Sequence, residues 1–439
     1  MDNIADPKFL KCFQNHRFAI NWITFSPNSK YLCSASDDNN AMLWHLDDEQ
    51  QTNNNTCYKF IGHKDSVTSV TMTDNFMISA SKDCTARLWR IDQAIINQDS
   101  SSSNNCSSDS IQYRCHKSSI NSVHINIDGS QFCTASDDQT IKVWSTSCAN
   151  KLLYTLSGGH SNWVRHARYS KLNANLLSSC SDDGTICIWD IRSKEAAIRL
   201  TSKRRSTHFL GVQWHPTCEY IMSSSSSDCL IRIWDLRYEK TIQFYQLHNG
   251  IVSSSDFHPN GNYLISSSID QTCKIIDVLE GRNLFTLKAH TGPVNCAQFS
   301  SDGKYFATAG QDHVILLWQS NLNADATVDN NDNINGDDDD DIRSIIFDPA
   351  QQMNDTFDTT TTKTKSTSKK MMIDDGDGSS DEIGLVNHNH SLKMANSISI
   401  LKCILQQLET MTDSILHIDQ RLTQLEEKFQ SISNTNGAQ

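Results

Sequence analysis

The sequence predicts an all-β protein of seven like-built units, followed by a polar tether and a C-terminal helix with a coiled-coil seam. Three observations predict it. A tryptophan-ended phrase keeps returning: "SASKDCTARLW", "TASDDQTIKVW", "SSCSDDGTICIW", "SSSSSDCLIRIW" and "TAGQDHVILLW". Around it, apolar and polar residues alternate with period two, as on half-buried strands. Past about residue 322 the alternation stops, and near residue 398 a heptad pattern begins.

The repeat is legible position by position. Its last slot holds Trp44, Trp89, Trp144, Trp189, Trp234, Ile276 and Trp318. Six residues earlier stand Asp38, Asp83, Asp138, Asp183, Asp228, Asp270 and Asp312. Four residues before these are the hydroxyls Ser34, Ser79, Thr134, Ser179, Ser224, Ser266 and Thr308. Some 20–23 residues before the aspartates lie His16, His63, His116, His160, His248 and His290, with Arg205 in the slot of the fifth unit. Pro27, Pro216 and Pro259 share one phase, inside "FSPN", "WHPT" and "FHPN". Proline donates no ladder hydrogen bond, so it marks a turn between strands.

Each unit is therefore expected to be four short strands. Lys8–Phe13 alternate like a strand, whereas the seventh unit runs out at about Asn321 after three. The N-terminal strand is expected to complete the seventh sheet and close the ring, which removes sheet edges. The polar insertions 45–56 and 98–110 are expected to be unpacked loops.

The "GH" of Gly62-His63 and Gly159-His160 and the "WD" of Trp189-Asp190 and Trp234-Asp235 resemble the WD-repeat family over residues 8–321. The resemblance implies a seven-bladed WD-repeat β-propeller. It also implies a relay: the aspartate accepts from the histidine, the histidine bonds the hydroxyl, and the hydroxyl accepts from the tryptophan N–H. Its members would be His63, Ser79, Asp83 and Trp89; His116, Thr134, Asp138 and Trp144; and His160, Ser179, Asp183 and Trp189. Units five and six, with Arg205 and Ile276, are expected to be the softer blades. A His/Asp/Ser constellation that returns in six of the seven units reads as structural repetition rather than as a hydrolase triad. No catalytic residue, cofactor or metal ligand is expected.

Net charge is −13, unevenly placed. Residues 1–321 carry 29 basic and 30 acidic side chains, residues 322–439 carry 9 and 21. This is not the basic footprint of a nucleic-acid binder. Fifteen cysteines without a CxxC pair read as free thiols in a reducing compartment. The N-terminus has no apolar stretch of a signal peptide, and no run is long enough to span a membrane. Asn54-Asn55-Thr56 matches a glycosylation sequon, a match read as chance in a cytosolic chain.

Residues 322–397 lack the apolar content that offsets ordering entropy and are expected to form a disordered linker. The run Asp337–Asp341 is expected to keep it extended rather than to bind a basic partner, and four lysines within 363–370 offer contact with an acidic surface such as a microtubule wall. Over 398–432, position a holds Leu401, Leu408, Ile415, Leu422 and Phe429, and position d holds Ile404, Met411, Ile418, Leu425 and Ile432. Five heptads with every a and d apolar predict a coiled coil that joins copies of the chain.

Blades, linker and terminal coil in this order, with "FCTASDDQTIKVW", "NWVRHARYS", "YQLHNGIVSSSDFHPNGNYLISSSIDQTCKIIDVLEGRNLFTLKAHTGPV" and "SSDGKYFATAGQDH", resemble the centriolar WD-repeat proteins called proteome-of-centriole protein one. That resemblance implies a non-enzymatic scaffold in the cytoplasmic cytoskeleton, at centriole, basal body and centrosome. It would support centriole assembly, length and stability and cilium formation. The implied partners are centriolar proteins and microtubules, with no nucleic acid and no membrane. The partner-binding face it suggests is Trp163, Arg165, His208, Leu210, Ile251 and Pro293, against the smaller Ala19, Asn21, Ser66, Thr68, Ser119 and Asn121 of units one to three. The alternative is a WD-repeat adaptor in signalling or ubiquitin ligation.

Overall fold

A computed structural model of the chain describes residues 5–46, 57–91, 105–106, 110–202, 207–322 and 343–346. The strand β1 (Lys8–Phe13) opens the chain. Blade 1 then takes β2 (Ile20–Phe25), β3 (Tyr31–Ser36), β4 (Asn40–His45) and β5 (Cys57–Ile61). Blade 2 takes β6 (Val67–Met72), β7 (Phe76–Ser81) and β8 (Thr85–Arg90). After the two-residue β9 (Asn105–Cys106), β10 (Ile111–Arg114) completes it. Blade 3 is β11 (Ile120–Ile125), β12 (Gln131–Ser136), β13 (Ile141–Ser145) and β14 (Leu152–Leu156).

Blade 4 is β15 (Val164–Tyr169), β16 (Leu176–Ser181), β17 (Thr185–Asp190) and β18 (Glu195–Thr201). Blade 5 is β19 (Phe209–Trp214), β20 (Ile221–Ser226), β21 (Ile231–Asp235) and β22 (Lys240–Tyr245). Blade 6 is β23 (Val252–Phe257), β24 (Tyr263–Ser268), β25 (Cys273–Asp277) and β26 (Arg282–Lys288). Blade 7 is β27 (Val294–Phe299), β28 (Tyr305–Gly310) and β29 (Ile315–Gln319). Its fourth strand is β1, antiparallel to β29 from Lys8↔Gln319 to Phe13↔Ile315. A last strand, β30 (Arg343–Ile346), lies outside the repeat.

Period-two alternation gives every strand two packing faces, and the seven cores lie between blades rather than within them. In β3, Leu32 packs toward blade 7 with Phe13, Ile315 and Leu317. Its neighbour Cys33 packs toward blade 2 with Val67, Val70 and Trp89. The same division recurs around the ring, so each blade is stable only between two others.

Every inner strand carries a β-bulge at its second residue, seen as a register shift across Ile20/Trp22, Val67/Ser69, Ile120/Ser122, Val164/His166, Phe209/Gly211, Val252/Ser254 and Val294/Cys296. The bulged side chain serves to bind the next blade. Asn21 donates to the Val67 carbonyl at 2.9 Å, Thr68 to Ile120 at 2.7 Å and Asn121 to Val164 at 2.9 Å. Ser253 donates to Val294, and Asn295 closes the circle on Ile20 at 2.8 Å.

The opposite ends of the inner strands are tied as well. The ring nitrogen of His215 bonds the Gly261 carbonyl at 3.1 Å, and that of His258 the Gly303 carbonyl at 3.0 Å. Ser301 then donates to the Ser26 carbonyl of blade 1. Gly261 and Gly303 sit at φ 83° and 72°, and a Cβ on either would come within 2.5 Å of the histidine beneath it. Only glycine meets both the left-handed backbone and the close approach.

At the axis, buried Arg168 of β15 lies over Trp22 at 5.4 Å and donates to Gln213 at 2.7 Å; Gln213 donates in turn to Asp256. Burial, helped by Arg168, pushes the neighbouring His124 and His166 well below the ordinary histidine range and keeps both imidazoles neutral.

Two short strands fall within segments expected to be loop and linker. In the insertion 98–110, β9 pairs parallel with β5 at Lys59 and Phe60. In the segment 322–397, β30 pairs parallel with β26 from Phe285↔Arg343 to Lys288↔Ile346. Both strands add to outer blade edges that otherwise leave a row of N–H and C=O groups unpaired. The remainder of that segment, residues 47–56 of the first insertion, and the predicted seam at Leu401, Ile404, Leu408, Met411, Ile415, Ile418, Leu422 and Leu425 lie outside the described residues.

Candidate binding face and the relay that supports it

The recurrent polar residues converge beneath one rim of the ring. In blade 2, Trp89 Nε1 donates to Ser79 Oγ at 2.8 Å. Ser79 Oγ lies 2.7 Å from His63 Nε2, and His63 Nδ1 lies 3.0 Å from Asp83 Oδ2. With a neutral imidazole the protons run one way: indole to hydroxyl, hydroxyl to Nε2, Nδ1–H to carboxylate. The same chain joins His16, Ser34, Asp38 and Trp44, then His116, Thr134, Asp138 and Trp144, then His160, Ser179, Asp183 and Trp189.

In blade 7 His290 joins Asp312 at 2.7 Å and Thr308 at 2.8 Å, and Trp318 stacks on Phe306. The second aspartate oxygen is used too. Asp83 Oδ1 accepts from the Thr85 amide at 2.9 Å and its hydroxyl at 2.6 Å, which shapes the turn between the second and third strands.

Burial alone would raise these carboxyl groups, but bonds from histidine, threonine and backbone N–H outweigh it. Asp38 is held at about 2, and Asp83, Asp138, Asp183 and Asp270 well below the ordinary carboxylate range. Blade 4 adds one feature. Burial opposes a charged His160, yet Asp183 and the adjacent Cys187 thiol push it up to about 9.

The two irregular units solve the same problem differently. Arg205 lies outside the described residues. The counter-charge to Asp228 comes instead from inside the sheet: Arg232 of β21 forms a buried ion pair with it. Arg232 also donates to Ser226 at 2.7 Å, while Trp234 still donates to Ser224 at 2.8 Å. Sequence reasoning missed Arg232, although a basic residue four places after the repeat aspartate was available as a signal. In blade 6, His248 keeps Asp270 and Ser266, and Ile276 fills the tryptophan slot fully buried.

The rim above the relay is the candidate face. Trp163, His208, Ile251 and Pro293 each precede an inner strand, and their carbonyls accept from Asp182, Ser227, Ile269 and Gln311 at 2.8–3.1 Å. The same bond at Ala19, Ser66 and Ser119 places all seven residues on one rim. Trp163 is 47 % exposed, with the Arg165 guanidinium 4.9 Å from its ring.

Arg165 and Leu210 occupy the bulge slot. Unlike Asn21, Thr68 and Asn121, neither ties its blade to the next: Arg165 turns to Asp182 at 2.8 Å, and Leu210 has no polar atom to give. His208 is exposed and reaches the Asp182 carbonyl at 2.7 Å, so Arg165 and His208 meet around Asp182. Leu210, Ile251 and Pro293 are half-buried. Sequence reasoning missed two exposed apolar residues by this rim. Ile269 donates its amide to the Ile251 carbonyl, and Phe18 lies against His313 of blade 7. Among the described residues no group of His, Cys, Asp or Glu is placed to hold a metal ion.

The family model described as WD domain, G-beta repeat matches residues 7–45, 54–90, 108–145, 150–190, 201–235, 239–277 and 281–319, one segment for each unit. Protein hir1 of Schizosaccharomyces pombe is 26 % identical over 157 residues, 32 % of this chain and 15 % of its own length. U3 small nucleolar RNA-associated protein 13 of Saccharomyces cerevisiae is 26 % identical over 151 residues, 32 % of this chain and 17 % of its own. A component of chromatin assembly factor 1 of Gallus gallus is 30 % identical over 167 residues, 33 % of this chain and 26 % of its own. The chain spans less than roughly a fifth of the length of the first curated relatives it matches.

Proposed function

The chain belongs to the WD domain, G-beta repeat family, and from that premise we propose that it is a non-enzymatic scaffold of centrioles and basal bodies. Propellers of this family are platforms for protein–protein contact, and the relay stiffens such a platform rather than reacting. One observation supports the face chosen for docking. In blades 4 and 5 the bulge residues Arg165 and Leu210 are released from blade-to-blade ties, beside the half-exposed Trp163. Tryptophan and arginine stacked at a surface are the usual anchors of an interface.

The centriolar assignment rests on the resemblance of phrases and on the order of parts. The propeller docks on centriolar proteins or the microtubule wall, and the coil at 398–432 links several propellers. Linked weak contacts hold by avidity on a long-lived array. The relatives' names favour a second reading: chromatin assembly factor 1 and U3 small nucleolar RNA-associated protein 13 point to an adaptor in a nuclear assembly.

Imaging the tagged full chain separates the two. Paired foci at basal bodies are expected; a nuclear or diffuse pattern rejects the centriolar reading. The double variant Trp163→Ala/Arg165→Ala is expected to fold normally and lose at least about tenfold of the focal signal, as loss of a hot-spot pair does.

A further inference from the structure

Blade 5 breaks the pattern of the outer strands. Each outer strand sets one residue opposite the third-strand position two before the tryptophan slot. In six blades that residue is Lys59, Gln112, Thr155, Arg199, Thr286 or Cys12, all polar or small. In blade 5 it is Phe244 of β22, paired with Arg232 and 66 % exposed. Ile242, two residues earlier, fills the bulge slot and is 45 % exposed. Its counterparts Leu153 and Leu284 pack against the cores between blades. Among the described residues, β22 is the outermost strand of its sheet. Edges of this kind are usually guarded by charge, whereas this one carries two large apolar side chains.

Two other blades show what an outer edge of this propeller accepts. There β9 pairs parallel with β5, and β30 with β26. On β26 the pairing covers Phe285, Thr286 and Leu287, which correspond to Gln243, Phe244 and Tyr245 of β22. Thr286, the counterpart of Phe244, is 5 % exposed. A pairing of four residues measures about 14 Å and buries on the order of 300 Å². Two copies meeting through it would fall far short of the roughly 1,200 Å² of a stable interface. An extended peptide needs less, because main-chain hydrogen bonds hold it and side-chain contacts select it. From Thr241 to Leu247 the chain carries no charged side chain, so the segment that fits is itself uncharged there.

We propose that the outer edge of blade 5 docks an extended segment of a partner protein, which joins β22 as a fifth, parallel strand. The segment is uncharged opposite Thr241–Tyr245 and sets a β-branched or aromatic side chain against Phe244. Such cross-strand pairs stabilise a sheet. Its backbone satisfies the outward N–H and C=O groups of β22, as the backbone of β30 does along β26. Covering the Phe244 ring adds the hydrophobic part of the binding. The site lies on the outer circumference of the ring, apart from the rim that carries Trp163 and Arg165.

The probe is a fluorescein-labelled peptide, KGTVTVTGK, titrated into the full chain and followed by anisotropy. Saturable binding is expected, with slower amide exchange within Gln243, Phe244 and Tyr245. Phe244→Lys, at an exposed position, should weaken binding at least about tenfold, and Phe244→Ser serves if the lysine variant misfolds. The peptide KGTPTPTGK lacks two ladder donors and should bind at least about tenfold more weakly. Trp163→Ala/Arg165→Ala should bind the probe as the unaltered chain does. Absence of saturable binding overturns the proposal, as does equal affinity for Phe244→Lys and the unaltered chain, or slowed exchange confined to other blades. Protection of the outward amides of β22 before any peptide is added overturns it as well. Protection independent of concentration assigns the edge to another segment of this chain, and protection that rises with concentration assigns it to a second copy.

Discussion

A single imidazole in each of six blades joins two elements that are some twenty residues apart in sequence, the entry to an inner strand and the turn two strands later. Removing it leaves a buried hydroxyl and a buried carboxylate short of a partner. His63→Ala is therefore expected to lower stability by about 1–3 kcal/mol, read by urea unfolding. Arg232→Ala should be the costlier change, about 3–5 kcal/mol, because it leaves Asp228 charged and unpaired. The carboxylates also set a pH dependence. Asp83, Asp138, Asp183 and Asp270 have folded pKa values below their unfolded ones. Their contribution is complete above the unfolded value of about 4 and is lost as pH falls through the folded values. Unfolding free energy should thus fall steeply below about 4, on top of an earlier decline below about 6.5, where the unfolded chain protonates His124 and His166 and the folded one does not. Asp138→Asn should make that fall shallower.

The blade is the unit at which the irregular repeats matter. Blade 5 was expected to be soft for want of its histidine, yet the Arg232–Asp228 pair and the Trp234–Ser224 bond restore the links inside the sheet. Blade 6 lacks only the indole, and Ile276 fills its place apolar to apolar beside Ile233 and Leu264. The position whose loss a blade cannot absorb is elsewhere, at the turns that pass from one inner strand to its neighbour. Gly303→Ala puts a methyl group within 2.5 Å of His258 at a left-handed φ. A loss of about 2–3 kcal/mol is expected from overpacking together with backbone strain, measured as a drop in the denaturant midpoint with unchanged slope.

At the scale of the molecule the ring has one seam, and the N-terminus closes it. Strand β1 covers β29 and places Phe13 in the core shared by blades 7 and 1, with Phe9 packed against Trp318. Deleting residues 1–14 should expose both that core and an edge, giving a chain that aggregates on sedimentation; a monomeric, fully stable product would contradict the closure. The proposed clustering belongs to the same scale. A chain ending at residue 397 should sediment as a monomer and the full chain as an oligomer.

The sequence by itself determined the number of blades, the strand that closes them and the members of six relays. These are period-two alternation and fixed spacings, and both are local properties that a linear reading captures. The chain of Asn21, Thr68 and Asn121 ties was not legible, because each bond ends on a backbone carbonyl of the next blade, and a carbonyl has no letter. Nor was the role of Arg232, which replaces a histidine from a different strand, or the pairing of β30 with β26 across an interval of more than fifty residues. Spacing encodes what recurs. Which exceptions find a partner, and which surface is left free to bind, is decided only when the ring brings distant strands side by side.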